Sequence, residues 1–361
     1  MDRILYFVGA GLTKSLQRPE RPVPMMNDFI SVMADYLHDD IILTTLSALE
    51  LLEDPYPYEY RPPGMADVAK PLACSTDRSL GRRAEFKRAL KNRPAESIER
   101  LLENSLTNPR GRSCEVVPTR FRYGINRVFQ IIGWDLNLLP LIAFVRGQLA
   151  SAGSQTFVSF NYDLVLDYVL SRELRCLAPE GLYGFAGKTC PSRIARLIKP
   201  HGSLNFIGEL ALPYKHTQYG IAFEPRDPEI LRTESGELCY WSRSEDRQRE
   251  PCIVPPVASK PAALKALGLT FLEGFRTAEK QAIESADVVY IIGWSIPKTD
   301  EDQRNLIRES RSGKAPRQLV VVNRGASPDY FSDVADLFGV DTNDMKIYNA
   351  GFCEFVEDTA R

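Results

Sequence analysis

The chain has 361 residues, more than one small core usually holds, so one large elaborated domain or two domains are expected. Its 45 Lys and Arg against 47 Asp and Glu give a net charge of −2, which excludes a global basic field for nucleic acid. A composition with 44% hydrophobic and 25% charged residues predicts a globular protein, and no apolar run is long enough to span a membrane.

The cysteines indicate a reduced environment and no structural zinc. The closest two, Cys239 and Cys252, are thirteen positions apart, and no Cys-x-x-Cys pair occurs. Zinc modules and dense disulfide frameworks both need closely spaced cysteines. We therefore expect a cytoplasmic protein with no bound metal.

The chain opens with a predicted strand and continues with a long helical stretch. The run RILYFVGAG (3–11) is apolar throughout and ends in glycines, as in a strand buried on both faces. Helical periodicity then dominates to about residue 150, and a proline breaks it near Pro140. The predicted helices lie at 26–52, 81–92, 95–106 and 121–150, with loops at 53–64 and 107–120.

From residue 155 onwards, predicted strands alternate with helices, which indicates a parallel sheet covered on both faces. The strands are at 155–160, 194–200, 287–293, 317–323 and 345–349, and the helices at 163–174, 261–285 with a weak point at Gly268, 300–311 and 328–338. The predicted class is α/β, a Rossmann-like sheet built from 1–24, 151–206 and 252–361. It carries a helical insertion at 25–150 and an irregular excursion with hairpins at 207–251.

Five loops at predicted strand ends carry glycine or polar residues. Gly9 and Gly11 would let the backbone turn sharply towards a phosphate, although Lys14 replaces the third glycine of the dinucleotide fingerprint. Asn161 and Asp163 follow the next strand, where helix capping is the alternative role. His201, one of three histidines, follows another strand and is either a functional base or a hydrogen-bonded turn residue. The remaining candidates are Thr13, Gly293, Ser295 and Asn323, and Asp300 is expected to cap the helix that follows it.

The segments GAGLTKS (9–15), FNYD (160–163), KPHGSLN (199–205), VPPVASK (254–260), IIGWSIPKTD (291–300) and VVVN (320–323) resemble the sirtuin-like family in order and context. The resemblance is to its bacterial branch associated with defence against phage, and it covers about half of the chain. It departs from classical deacylases because the paired Cys-x-x-Cys zinc module is absent and PVP (22–24) replaces Gly-Ile-Pro. These departures argue against protein deacylation.

The resemblance implies that NAD binds along the carboxyl edge of the sheet. Its pyrophosphate would lie over Gly9, Ala10, Gly11 and Thr13, and a ribose near Ser295 and Asn323, beside Gly293. The nicotinamide end would face Asn161, Asp163 and His201.

The predicted activity is hydrolysis of the nicotinamide–ribose bond, giving nicotinamide and ADP-ribose. Asn161 would hold a water or a ribose hydroxyl, and His201, with an ordinary pKa near 6.5, would accept a proton. The alternatives are a deacylase or ADP-ribosyltransferase in the same pocket, or a module that senses NAD or ADP-ribose without turnover. Because constant NAD destruction would be toxic, we expect control by homo-oligomer assembly or by a partner protein encoded nearby.

Overall fold

A computed structural model describes residues 2–25, 28–36, 113–151, 153–175, 179–184, 195–241, 248–297, 300–311 and 314–359, and the single residues Ile42, Arg88, Ile98 and Leu102. Apart from these single residues, the helices predicted at 81–92 and 95–106, the second half of 26–52, and the loop at 53–64 lie outside the described residues. Within this part of the chain, Ile42, Ile98 and Leu102 are buried in the hydrophobic core.

The strands are β1 (Asp2–Val8), β2 (Gly153–Ser159), β3 (Ala195–Ile198), β4 (Gly202–Glu209), β5 (His216–Thr217), β6 (Gly220–Ile221), β7 (Glu229–Ile230), β8 (Arg249–Ile253), β9 (Val288–Ile292), β10 (Gln318–Val322) and β11 (Lys346–Tyr348). The helices are α1 (Ala10–Ser15), α2 (Phe29–Met33), α3 (Ser113–Ile132), α4 (Leu139–Ala150), α5 (Val165–Glu173), α6 (Pro179–Tyr183), α7 (Lys260–Leu267), α8 (Phe271–Ser285), α9 (Glu301–Arg311), α10 (Pro328–Phe338) and α11 (Phe352–Thr359). Short 3₁₀ turns lie at Ala34–Tyr36 and Thr342–Asp344.

Six parallel strands form the central sheet in the order β11-β10-β9-β1-β2-β3. From β1, the strands β2 and β3 follow in order towards one edge of the sheet, and β9, β10 and β11 follow in order towards the other edge. The strand order therefore reverses between β1 and β9, and open α/β sheets bind ligands at the carboxyl end of such a switch point. Val8 pairs with Ser159 on one side and Ile292 on the other, so the three strands end level. The predicted Rossmann-type α/β class is confirmed.

The core of this sheet is aromatic and aliphatic. Tyr6 of β1 is buried and stacks on Phe157 of β2 at 4.4 Å between ring centroids, and on Tyr290 of β9 at 5.0 Å. Burying each side chain of this kind contributes roughly 1.5–3 kcal/mol. Helices cover both faces of the sheet, so its strands are the continuous apolar runs that the sequence contains.

Two helical predictions need correction, and one break is confirmed. The loop predicted at 107–120 is helical from Ser113, because packing of the buried face around Phe121 and Val128 outweighs Pro118 inside the helix. The helix predicted at 261–285 is two helices, with the change of direction at Gly268. The break near Pro140 is confirmed, since α3 ends at Ile132 and α4 begins with Pro140 in its first turn. None of the described helices has the length and apolarity to cross a bilayer.

A second, antiparallel sheet follows directly on β3, in the order β7-β4-β8. Its first strand begins at Gly202 and its last strand ends at Ile253. The sheet is therefore longer at both ends than the irregular segment expected at 207–251. Gly202 has a φ of +80°, and a Cβ there would overlap the carbonyl of Cys252 on the neighbouring strand. His201 consequently occupies the corner where the chain leaves the parallel sheet for the antiparallel one.

Candidate functional site

Three glycines pack against one another at the switch point between β1 and β9. The Gly9 amide donates to the Ile292 carbonyl at 3.0 Å, and the Gly11 amide donates to the Gly293 carbonyl at 2.9 Å. A Cβ on Gly11 would be 2.8 Å from the Gly293 Cα, and one on Gly293, where φ is +59°, would overlap the Leu12 nitrogen. Contact between the two loops therefore already requires glycine at these positions, before any ligand is considered.

A buried polar network joins the ends of β1 and β2. The Asn161 amide nitrogen donates to the Gly9 carbonyl at 3.1 Å and to the Thr13 hydroxyl at 3.2 Å. The Thr13 hydroxyl in turn donates to Asp163 at 2.9 Å. Asn161 is 7% exposed, and its Oδ1 has no partner among the described residues. The network fixes the orientation of Asn161 and leaves this oxygen to accept a hydrogen bond from a ligand.

Both carboxylate oxygens of Asp163 accept hydrogen bonds from the protein. One oxygen accepts from Thr13 and the other from the Val165 amide at 3.0 Å, at the start of α5. Burial raises the pKa of this carboxyl, and the nearby Lys199 ammonium opposes that rise. The geometry makes Asp163 a residue that shapes the loop around Asn161, whereas the N-cap of α5 is Leu164 and has no side-chain cap hydrogen bond.

A buried ion pair that the sequence did not indicate contacts the loop that carries Asn161 and Asp163. The Lys199 ammonium lies 3.0 Å from Asp167 and donates to the Asp163 carbonyl at 2.6 Å, and both charged side chains are fully buried. Tyr183 donates a further hydrogen bond to Asp167 at 2.6 Å. Asp167 lies in the first turn of α5, whereas Asp163 precedes this helix, so no spacing along the helix indicated the ion pair.

His201 lies at the corner between β3 and β4 with its ring partly buried. The ring is 5.3 Å from Phe160, which stacks on Trp294 at 4.4 Å, so the ends of β2, β3 and β9 meet here. Burial, with Lys260 and Arg276 nearby, lowers the pKa of His201 to about 3, while Asp300 opposes the shift. A lowered pKa makes His201 a weaker proton acceptor than an imidazole with the unperturbed pKa near 6.5.

Of the other two histidines, the structure describes only His216. His216 lies exposed on β5 of the small hairpin. His38 is outside the described residues.

Ser295 and Asn323 lie at the ends of β9 and β10. Ser295 is exposed, and Asn323 is partly buried. The Asn323 side chain hydrogen bonds to Tyr330, whose hydroxyl donates to the Trp294 carbonyl at 2.6 Å. Tyr330, on α10, thus connects the two loops, a role that no local pattern in the sequence indicated.

Asp300 does not cap α9 as expected. Among the described residues, its carboxylate makes no hydrogen bond to the first-turn amides, and it lies 2.7 Å from the Lys260 ammonium. Leaving a buried ammonium without a counter-ion costs more than the roughly 1 kcal/mol that a cap contributes. Lys260 is the last residue of VPPVASK, one of the segments that carry the resemblance, but the sequence did not indicate that its partner is Asp300.

Comparison with known proteins gives similarity to solved structures alone. No protein-family model matches the sequence, and no curated protein matches it. The chain is similar to a Sir2 homologue solved as an NAD complex, with 14% identity, 73% of this chain and 79% of that chain covered, and a TM-score of 0.32. A Sir2 enzyme solved for mechanism and regulation has 10% identity over 99% and 94% of the two chains, with a TM-score of 0.30. A mutant Sir2 homologue in complex with ADP-ribose has 11% identity over 67% and 78%, with a TM-score of 0.29. Matches of this degree do not establish a family.

In the part of the chain that the structure describes, no three His, Cys, Asp or Glu side chains are grouped closely enough to hold a metal ion.

Proposed function

We propose that the chain binds NAD along the carboxyl edge of its parallel sheet and hydrolyses the nicotinamide–ribose bond. The observation that carries the proposal is that five adjacent strands, β10, β9, β1, β2 and β3, each end in one of the candidate loops. At about 4.8 Å between strands, these loops extend over roughly 19 Å, which suits an extended ligand such as a dinucleotide. The reversal of strand order lies inside this row, where ligands bind in open α/β sheets.

The polar groups left accessible suit cleavage of the glycosidic bond. As the C–N bond breaks, its electron pair goes to the pyridinium ring, so nicotinamide leaves as a neutral molecule and needs little acid catalysis. The reaction then depends on stabilising an oxocarbenium-like ribose and on placing the water that forms the new C–O bond. Asn161 offers its Oδ1 for this water or for a ribose hydroxyl while its amide nitrogen is held by Gly9 and Thr13. The proton released by the water would pass to the neutral His201.

One observation favours a second candidate, a module that binds NAD or ADP-ribose without turnover. With its pKa lowered to about 3, His201 accepts a proton less readily than a base matched to neutral pH. A sensor needs no such base, whereas a hydrolase needs this histidine or another acceptor at the reacting end.

The test is nicotinamide release from NAD by the purified chain, measured over a range of protein concentrations to allow for assembly. Asn161→Ala and His201→Ala should bind NAD within about tenfold of wild type by calorimetry. Their hydrolysis should fall by about 10² or more, the scale for removing a positioned catalytic group. His216→Ala, at an exposed position on β5, should hydrolyse NAD like wild type.

Each other outcome identifies an alternative. Normal hydrolysis by His201→Ala removes the histidine from the mechanism. Tight binding without turnover, at every concentration, selects the sensor. Nicotinamide release only when an acetylated peptide is added selects the deacylase, and absence of NAD binding refutes the proposal.

A further inference from the structure

Tyr240 reaches the loop of Asn161 and Asp163 from a distant part of the chain. It lies in the segment between β7 and β8, and its hydroxyl accepts a hydrogen bond from the Leu164 amide at 3.2 Å. Leu164 is fully buried and is the N-cap of α5, directly after Asp163. Burial, with Asp163 and Asp167 nearby, raises the pKa of the Tyr240 phenol well above its ordinary value, so the hydroxyl stays neutral.

Three side chains from three separate segments hold the backbone around Asp163. Thr13 of α1 donates to its carboxylate at 2.9 Å, and Lys199, after β3, donates to its carbonyl at 2.6 Å. Tyr240 accepts from the amide of the residue that follows. The Asn161 amide nitrogen donates to the same Thr13 hydroxyl at 3.2 Å. A displacement of the peptide after Asp163 would therefore reach Asn161 through this hydroxyl.

The other side of Tyr240 packs on the helical insertion. Phe129 of α3 stacks on its ring at 6.1 Å between centroids, and the ring of Trp134, two residues beyond α3, lies 5.6 Å away. Asn126 of α3 donates to the Trp241 carbonyl at 2.8 Å, which fixes the backbone next to Tyr240. The position of Tyr240 consequently depends on that of α3.

Trp134 brings this aromatic cluster to the surface. It is 36% exposed, and it stacks on Tyr168 of α5 at 4.4 Å. Aromatic pairs stabilise a contact beyond the area that they bury. The four rings of the aromatic cluster, Phe129, Trp134, Tyr168 and Tyr240, therefore connect the end of α3 to α5 and to the loop before it.

We propose that Tyr240 is a positioning residue for Asn161 and couples its loop to α3 of the helical insertion. The hydroxyl keeps the Leu164 amide in place, and Thr13 and Asn161 then stay in the arrangement that leaves Asn161 Oδ1 open to a ligand. A buried amide that loses its acceptor is costly, so the loop rearranges when Tyr240 moves. The effect on turnover rests on the proposed function, whereas the effect on Asn161 can be measured without any activity.

Tyr240→Phe removes the hydroxyl and keeps the ring in the aromatic cluster. The readout is NMR of protein labelled with ¹⁵N-asparagine, in which Asn161→Ala assigns the Asn161 side-chain amide signals. In Tyr240→Phe these signals should shift. The kcat for NAD hydrolysis should fall by about 3- to 30-fold with little change in KM, the scale of coupling through packed side chains.

Tyr6→Phe is the matched control, because it also removes a tyrosine hydroxyl from a hydrogen bond, here the one to Gln148 at 2.7 Å. Its loss of stability in urea should be comparable, with the Asn161 signals and kcat unchanged. Trp134→Ala tests the link to the insertion from the surface. It should shift the Asn161 signals in the same direction by a smaller amount, and it should add little in combination with Tyr240→Phe.

Unchanged Asn161 signals in either folded variant overturn the proposal, and so do fully additive shifts in the double variant. If Tyr240→Phe does not fold, Trp134→Ala and Trp134→Leu decide, since this side chain is partly exposed. If wild type does not hydrolyse NAD, the proposed function fails, but the Asn161 signals still accept or reject the role of Tyr240.

Discussion

Glu279 should make the stability of this protein fall as the pH rises through neutrality. The residue is 1% exposed on α8, and burial raises the pKa of its carboxyl from 4.5 to about 8. Between these two values, the folded state holds a proton that the unfolded chain has lost. Since stability decreases with pH wherever the folded state binds more protons, the free energy of unfolding should decline across this interval.

The magnitude follows from the two pKa values. Each pH unit between them costs about 1.4 kcal/mol, so the whole penalty is on the order of 4–5 kcal/mol and is complete above pH 8. Glu279→Gln cannot ionise, yet its amide oxygen can still accept the hydrogen bond from Gln303. The variant should therefore gain stability over wild type as the pH rises.

Urea unfolding of wild type and Glu279→Gln at pH 5, 6, 7, 8 and 9 measures this directly. The difference in unfolding free energy should grow by about 1 kcal/mol or more per pH unit up to pH 8, and then level off. Glu273→Gln, at an exposed position on the same helix, should show no such trend. A difference that stays constant with pH would mean that Glu279 titrates alike in both states, and the reasoning from burial would be refuted.

Three further outcomes are expected. Gly293→Ala should lower the free energy of unfolding in urea by about 2 kcal/mol or more, because φ is positive there and a Cβ would overlap the Leu12 nitrogen. The control is Gly274→Ala, which has open space around it and should stabilise α8 by about 0.5–1 kcal/mol. Lys199→Met should cost about 3–5 kcal/mol by leaving Asp167 buried without its cation, and an unchanged melting temperature would contradict this. Elemental analysis should find no stoichiometric zinc, and zinc that is lost only on unfolding would show the cysteine spacing to be misleading.

The sheet was predictable because both of its faces are covered. Strands such as β1 and β9 then appear as unbroken apolar runs, and the loop residues that follow them must gather at one edge. The pairing of Lys260 with Asp300 was not predictable, since the two residues are forty positions apart and the local rule for Asp before a helix is capping. The same holds for Lys199 and Asp167, which are 32 positions apart and form their ion pair only in the folded chain.

The glycines of the first loop were predicted at the correct positions, but ligand binding is not the only reason for them. Gly9 and Gly11 stand where a dinucleotide fingerprint would place them, yet their amides already donate to the end of β9. A substitution at Gly11 would therefore disturb the fold and any ligand together. Asn161 separates the two roles, because its nitrogen is held by the protein while its Oδ1 has no partner among the described residues. Loss of turnover with intact folding at Asn161 would thus bear on function more directly than any change in the glycines.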